Sequence, residues 1–147
     1  MLRRLMVVIL VVFVAAVGAR VLASPDPPPQ TPGARPGGWT IPPDAKTEVS
    51  PLQVTDKVVA SGKSMFKSKC TRCHGPEGKG DGPDADPEHA QDMDLTNPER
   101  ATPNPDGVVF YKIWNGRQQP KMPSFKSEMT KDEVWTIVSY VQTLRKK

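Results

Sequence analysis

Apolar residues recur at helical spacing in three parts of the chain. Between residues 55 and 70, Val58, Val59, Gly62, Met65, Phe66 and Cys70 fall at intervals of three and four, with Lys57, Lys63 and Lys67 elsewhere. That stripe predicts a helix from about Thr55 to Lys69. Near the C-terminus, Val134, Ile137, Tyr140, Val141 and Leu144 form a second stripe. Thr130 with Glu133 three residues on is the signature of a reciprocal N-terminal cap, and Arg145, Lys146 and Lys147 put positive charge where the helix dipole favours it. The stretch PDGVVFYKIWNG predicts a shorter helix between Asp106 and Gly116. Residues 75–105, rich in Gly, Pro and Asp, read as loop. No convincing strand appears from Leu52 onward, so the expected fold class is all-α. Within the first helix Gly62 is conspicuous. A mid-helix glycine costs about 1 kcal/mol relative to alanine, which points to a close approach by another element.

The pattern differs at the N-terminus. Arg3 and Arg4 precede an uncharged, nearly all-apolar run from Leu5 to Ala19, followed by Val21-Leu22-Ala23. This is the layout of an export signal. Extended through Arg20 to Ala23, it reaches roughly the 20 residues that span a bilayer. Residues 1–23 therefore fit either a cleaved signal peptide or a retained membrane anchor, and both place the remainder on the periplasmic side. Residues 24–51 hold nine of the seventeen prolines and read as an extended linker that forms neither helix nor central strand, with Trp39 and Ile41 as its only large apolar residues. The tether favours the anchor. Residues 52–147 are left as the folding unit, a size at which a domain often needs a staple. The net charge of +4 is mild, and no basic stripe with interleaved aromatics supports nucleic-acid binding.

The candidate chemistry lies in Cys70-Thr71-Arg72-Cys73-His74, which contains both cysteines of the chain. Zinc requires four ligands. This pentapeptide offers three in awkward adjacency, and His89 would have to be recruited from a loop. A redox disulfide belongs at the start of a helix after a strand, whereas this motif ends a helix. Cys-x-x-Cys-His is also the signature of c-type haem attachment. Two thiols add across the two vinyl groups of one porphyrin edge, and the following histidine ligates iron. Export, the helix leading into the motif and an available second axial ligand favour haem c, attached through Cys70 and Cys73 with His74 on iron. The second ligand is expected to be Met122, in a loop stiffened by Pro120 and Pro123. Met65 has a place on a core stripe, Met93 lies in the acidic loop, Met129 precedes the last cap, Met6 is in the export segment, and His89 sits among acidic residues.

These pieces together resemble a class I monohaem cytochrome c domain of the bacterial type. They are Gly62-xxx-Phe66-xxx-Cys70-Thr71-Arg72-Cys73-His74-Gly75, Gly78 to Pro83, Met122-Pro123 and VWTIVSYVQTL. The resemblance covers residues 52–147 and implies a small fold with crossing terminal helices and haem in a loop-lined crevice. It implies that Gly62 and Phe66 meet Tyr140 at that crossing, and that the Pro83 carbonyl accepts the His74 ring N–H. Leu95, Ile113, Trp114, Phe125 and Val138 are candidate haem contacts.

Two axial ligands leave iron no open position, which favours electron transfer over substrate chemistry, and a thioether ligand raises the potential. The expected function is thus an electron carrier, not an enzyme, tethered as a donor or acceptor or as the haem subunit of a respiratory complex. The alternative is a haem sensor or small haem enzyme with a displaceable sixth ligand. Charge is uneven: residues 57–79 hold six basic and one acidic residue, residues 81–106 eight acidic and one basic. Lys69, Arg72, Lys79, Lys121 and Lys126 are candidates for a rim that steers an acidic protein redox partner.

Overall fold

The computed structural model describes residues 38–100, 102–119 and 121–145. The export segment, Pro120, Lys146 and Lys147 lie outside the described residues. The elements are α1 (Pro43–Thr47), α2 (Asp56–Lys69), α3 (Thr71–His74), α4 (Ala90–Met93), α5 (Asp106–Asn115) and α6 (Lys131–Leu144), with 3₁₀ turns at Pro87–His89 and Pro98–Arg100. Among the described residues β structure is limited to isolated antiparallel bridges, Lys79 with Asp94 and Arg117 with Met122. The all-α class expected from the sequence is what forms.

Both long helices are capped from their own sequence. Thr55 accepts a hydrogen bond from the Val58 N–H at 3.3 Å. At α6, Thr130 Oγ1 accepts from the Glu133 N–H at 3.3 Å while Glu133 Oε2 accepts from the Thr130 N–H at 2.7 Å, the reciprocal cap predicted above.

Helices α2 and α6 pack across Gly62. A β-carbon there would collide with the Thr136 carbonyl oxygen and lie 2.9 Å from Tyr140 Cβ. The glycine therefore lets the two backbones touch. One turn on, Phe66 meets Tyr140 with ring centroids 5.3 Å apart, as the resemblance implied. Phe66, Val134, Ile137 and Val138 are essentially solvent-free. Each such side chain contributes about 1.5–3 kcal/mol by leaving water. Helix α5 adds Val108, Val109, Phe110 and Ile113 to the core, with Phe110 stacked on Trp135 at 4.3 Å.

Two departures from the sequence reading concern segments rich in proline and glycine. Residues 43–47, read as extended linker, form α1. Pro43 opens that helix, where its missing N–H is harmless and its fixed φ is already helical. Asp44 follows in the first turn. Helix α1 packs on α5, burying Ala45 to 3 % exposure. The loop of residues 75–105, in turn, is held by backbone hydrogen bonds and three short helical turns, Pro87–His89, Ala90–Met93 and Pro98–Arg100. Gly80 N–H donates to the His74 carbonyl at 2.9 Å, Leu95 N–H to Gly78 at 2.7 Å, and Asp84 N–H to Arg72 at 2.7 Å. Gly75, Gly78 and Gly80 all adopt positive φ, a region costly for other residues.

Candidate haem site

Cys70, Cys73, His74 and Met122 all line one crevice of about 280 Å³. Its apolar wall comes from Phe66, Leu95, Val109, Ile113, Phe125, Ile137 and Val141. Helix α2 carries the motif into position, and the chain turns immediately into the single turn of α3, where the N–H groups of Cys73 and His74 both donate to the Cys70 carbonyl. Met122 arrives from the other direction. Its N–H and C=O pair with Arg117 at 2.9 and 2.8 Å. Gly116, at φ +63°, lets this small hairpin fold back against the end of α5 with no room for a β-carbon. Ser124 Oγ donates to the Trp114 carbonyl at 2.7 Å and Phe125 N–H to Ile113 at 3.2 Å, fastening the methionine loop to the helix.

His74 Nδ1 lies 2.8 Å from a backbone carbonyl, but that carbonyl belongs to Met93. The Pro83 assignment implied by the family resemblance is corrected by this contact. Pro83 is exposed, and its neighbour Gly82 packs instead on the carbonyls of Thr71 and Arg72. Burial holds the His74 pKa below its ordinary value, and the Met93 carbonyl offsets part of that effect. A neutral ring donating Nδ1–H to a carbonyl keeps a lone pair on Nε2, which is the arrangement a metal-ligating imidazole needs. Burial, with Cys73 second, pushes the Cys70 thiol up to about 12. His89 is outside the crevice lining and pairs with Asp86 at 2.9 Å.

Of the predicted haem contacts, Leu95, Ile113 and Phe125 line the crevice and Trp114 and Val138 do not. Trp114 stacks on Phe110 at 5.9 Å, and Val138 is 1 % exposed in the core. Their places are taken by Val109, Ile137 and Val141. The sequence reading also missed a basic group at the crevice, made of Arg100, Lys112, Arg117 and Arg145. Arg100 is paired with Asp92 at 2.6 Å. Arg145 is 8 % exposed and donates to the Asn104 backbone carbonyl and to the Gln142 side-chain Oε1, both at 3.0 Å, leaving its Nε buried without a partner. Lys112 donates to Asn104 Oδ1. Burial, then Arg117, Arg100 and Arg145 in that order, press the Lys112 pKa down to about 8.

An apolar slot with two thiols and a neutral imidazole on its wall, and crowded cations around an orphaned guanidinium N–H, fits a flat apolar group carrying carboxylates. Haem is such a group. Residues 59–145, more than half of the chain, match the sequence profile of the family described as Cytochrome c. The chain belongs to the cytochrome c family. It is a haem-based electron-transfer domain, with haem c bound covalently through the Cys70-x-x-Cys73-His74 motif. Among solved structures, this cytochrome c is similar to a chain of the reducing HAO-like protein complex Kustc0457/Kustc0458 of Kuenenia stuttgartiensis. The identity is 30%, the TM-score 0.51, and the match covers 64% of this chain and 46% of that chain. This cytochrome c therefore corresponds to less than half of that longer chain. No curated protein matched at a significant level.

Proposed function

We propose that this cytochrome c is a dedicated electron carrier in which His74 and Met122 supply both axial ligands. The observation that carries this reading is Met122 on the wall of the crevice that also holds Cys70, Cys73 and His74. When bound, haem supplies a one-electron Fe(III)/Fe(II) couple. The chain's own contribution is to fix that couple. The Met93 carbonyl orients the His74 ring, the Arg117 pairing holds the methionine loop, and the apolar wall excludes water. A soft thioether and a dry crevice both favour the reduced state.

Its partners are proteins. The similar Kuenenia chain belongs to a protein complex, which supports the same mode of use for this domain. Of the basic residues proposed to steer an acidic partner, Lys69 pairs with Glu128, Arg72 with Asp84 and Lys79 with Glu77. The steering charge therefore rests on Lys121 and Lys126, which are exposed and form no ion pair among the described residues. The N-terminal apolar segment supports export and membrane tethering on the periplasmic side. No helix among the described residues is long and apolar enough to cross a membrane.

The test is Met122→Ala in the haem-loaded protein. A lowered potential and carbon monoxide binding by the ferrous variant are expected, while the ferrous wild type stays unreactive at neutral pH. Unchanged spectra in the variant would assign the ligand elsewhere. Strong carbon monoxide binding by the wild type would favour a sensor or small haem enzyme.

A further inference from the structure

Trp39 does not behave as a residue of a free tether. It is half-buried and lines the crevice. Its ring faces two of the crevice cations, with the Arg117 guanidinium carbon 4.7 Å and Lys112 Nζ 5.4 Å from the ring centroid. A cation over an aromatic face is attracted to it, and more strongly where water is displaced. The same segment is fixed a few residues later. Ala45 is buried against Gly107, where a β-carbon would collide with the Ala45 carbonyl oxygen and stand 2.6 Å from that of Glu48. Gly107 lies in the first turn of α5, Lys112 lies on the same helix, and Arg117 follows its C-terminus. Residues 39–48 therefore engage α5 at its start and again towards its end.

We propose that this segment is a clasp over the basic side of the haem crevice, with Trp39 the positioning residue that holds Arg117 and Lys112 there and excludes water. The inference rests on the haem-crevice reading above. It adds that part of the electron carrier's potential is set by residues preceding the cytochrome c domain proper. A positive charge beside the cofactor favours the reduced state, and its field is strong only where water is excluded. Releasing the ring uncovers both cations, with Lys112 still held by Asn104 Oδ1, and admits water. Either change favours Fe(III), so the two effects have the same sign.

The experiment compares the full-length, haem-loaded wild type with Trp39→Ala and Trp39→Phe. Stoichiometric thioether-bound haem is first verified by the pyridine haemochrome spectrum, and the potential is then titrated at low and high salt. In Trp39→Ala the Fe(III)/Fe(II) ratio at fixed potential should rise roughly fivefold, about 40 mV at 59 mV per tenfold. Its potential should also become salt-dependent as the cations meet solvent. Trp39→Phe keeps an aromatic face and should stay near the wild type. Equal potentials in haem-loaded wild type and Trp39→Ala would overturn the clasp. Hydroxyl-radical footprinting of the wild type gives an independent reading should Trp39→Ala fail to load haem. Protection of Trp39 is expected, and oxidation as fast as in the unfolded chain would overturn the proposal. Absence of covalent haem from the wild type would instead overturn the reading on which the clasp rests.

Discussion

Alanine at position 62 adds one methyl group at the crossing of α2 and α6. Two effects oppose each other. In a helix interior alanine gains about 1 kcal/mol over glycine. Against that, the new β-carbon would overlap the Thr136 carbonyl oxygen and lie 2.9 Å from Tyr140 Cβ. Carbon atoms make ordinary contact at about 3.5–4.0 Å. The neighbouring atoms belong to the α6 backbone and a β-carbon, so no rotamer change relieves the overlap. The helices must separate by about 1 Å, a gap that forfeits roughly a quarter to a half of each dispersion contact. Overpacking of this kind costs about 1–3 kcal/mol, and loosening the Phe66–Tyr140 pair adds up to ~1 kcal/mol. The net loss should be about 1–2 kcal/mol, which lowers the melting temperature of a domain this size by about 5–10 °C. Thermal melts of the haem-loaded protein by circular dichroism provide the assay. Ser61→Ala, on the exposed side of the same helix, is the control and should be neutral or slightly stabilising. A Gly62→Ala protein that melts at or above the wild type would refute the close-approach reasoning.

Two further predictions concern the cap and the anchoring of α1. The Thr130 backbone N–H, with its hydroxyl second, holds the Glu133 carboxyl below its ordinary range. The stabilisation it contributes is therefore present above the unfolded value near 4.5 and lost as pH falls through the lower folded value. Glu133→Gln should flatten the acid limb of a stability–pH curve, and an unchanged limb would remove the cap from that role. Gly107→Ala should lift α1 from α5, seen as faster amide exchange at residues 45–48 with α6 still protected. Unaltered exchange there would show that the contact tolerates a β-carbon.

What the sequence revealed and concealed follows from the range of the interactions. The α2 and α6 stripes, the Thr130–Glu133 cap and the Cys70–His74 motif are local, with spacing and chemistry lying within a few neighbouring residues. Gly62 was legible because its propensity is wrong for its place, which signals tertiary contact. Helix α1 was hidden by proline itself. Pro42 and Pro43 read as helix breakers, yet a proline at the first helical position is favourable, and Asp44 beside it was the overlooked cue. Helix α5 is apolar on several sides, so periodicity did not separate Val109, which lines the crevice, from Trp114, which packs half-buried against the core. The Met93 carbonyl is a backbone group delivered by a loop, with no side-chain signature. The basic group draws Arg100, Lys112, Arg117 and Arg145 from three separate segments. Arg145 was read only as positive charge suited to the end of the last helix, whereas its guanidinium turns inward to Asn104.

The α2–α6 crossing also imposes an order on assembly. Phe66 and Tyr140 touch across almost the whole length of the domain's sequence, and α2 has its main packing surface on α6. Contacts between such distant residues must overcome the closure entropy of the entire intervening loop before they stabilise anything. Helix α2 therefore has little to pack on until α6 has been synthesised. During that interval Cys70 and Cys73 sit on an unclosed chain, reachable from every side. The crevice that later shelters them closes late, which leaves the thiols open to covalent attachment while the cofactor can still enter.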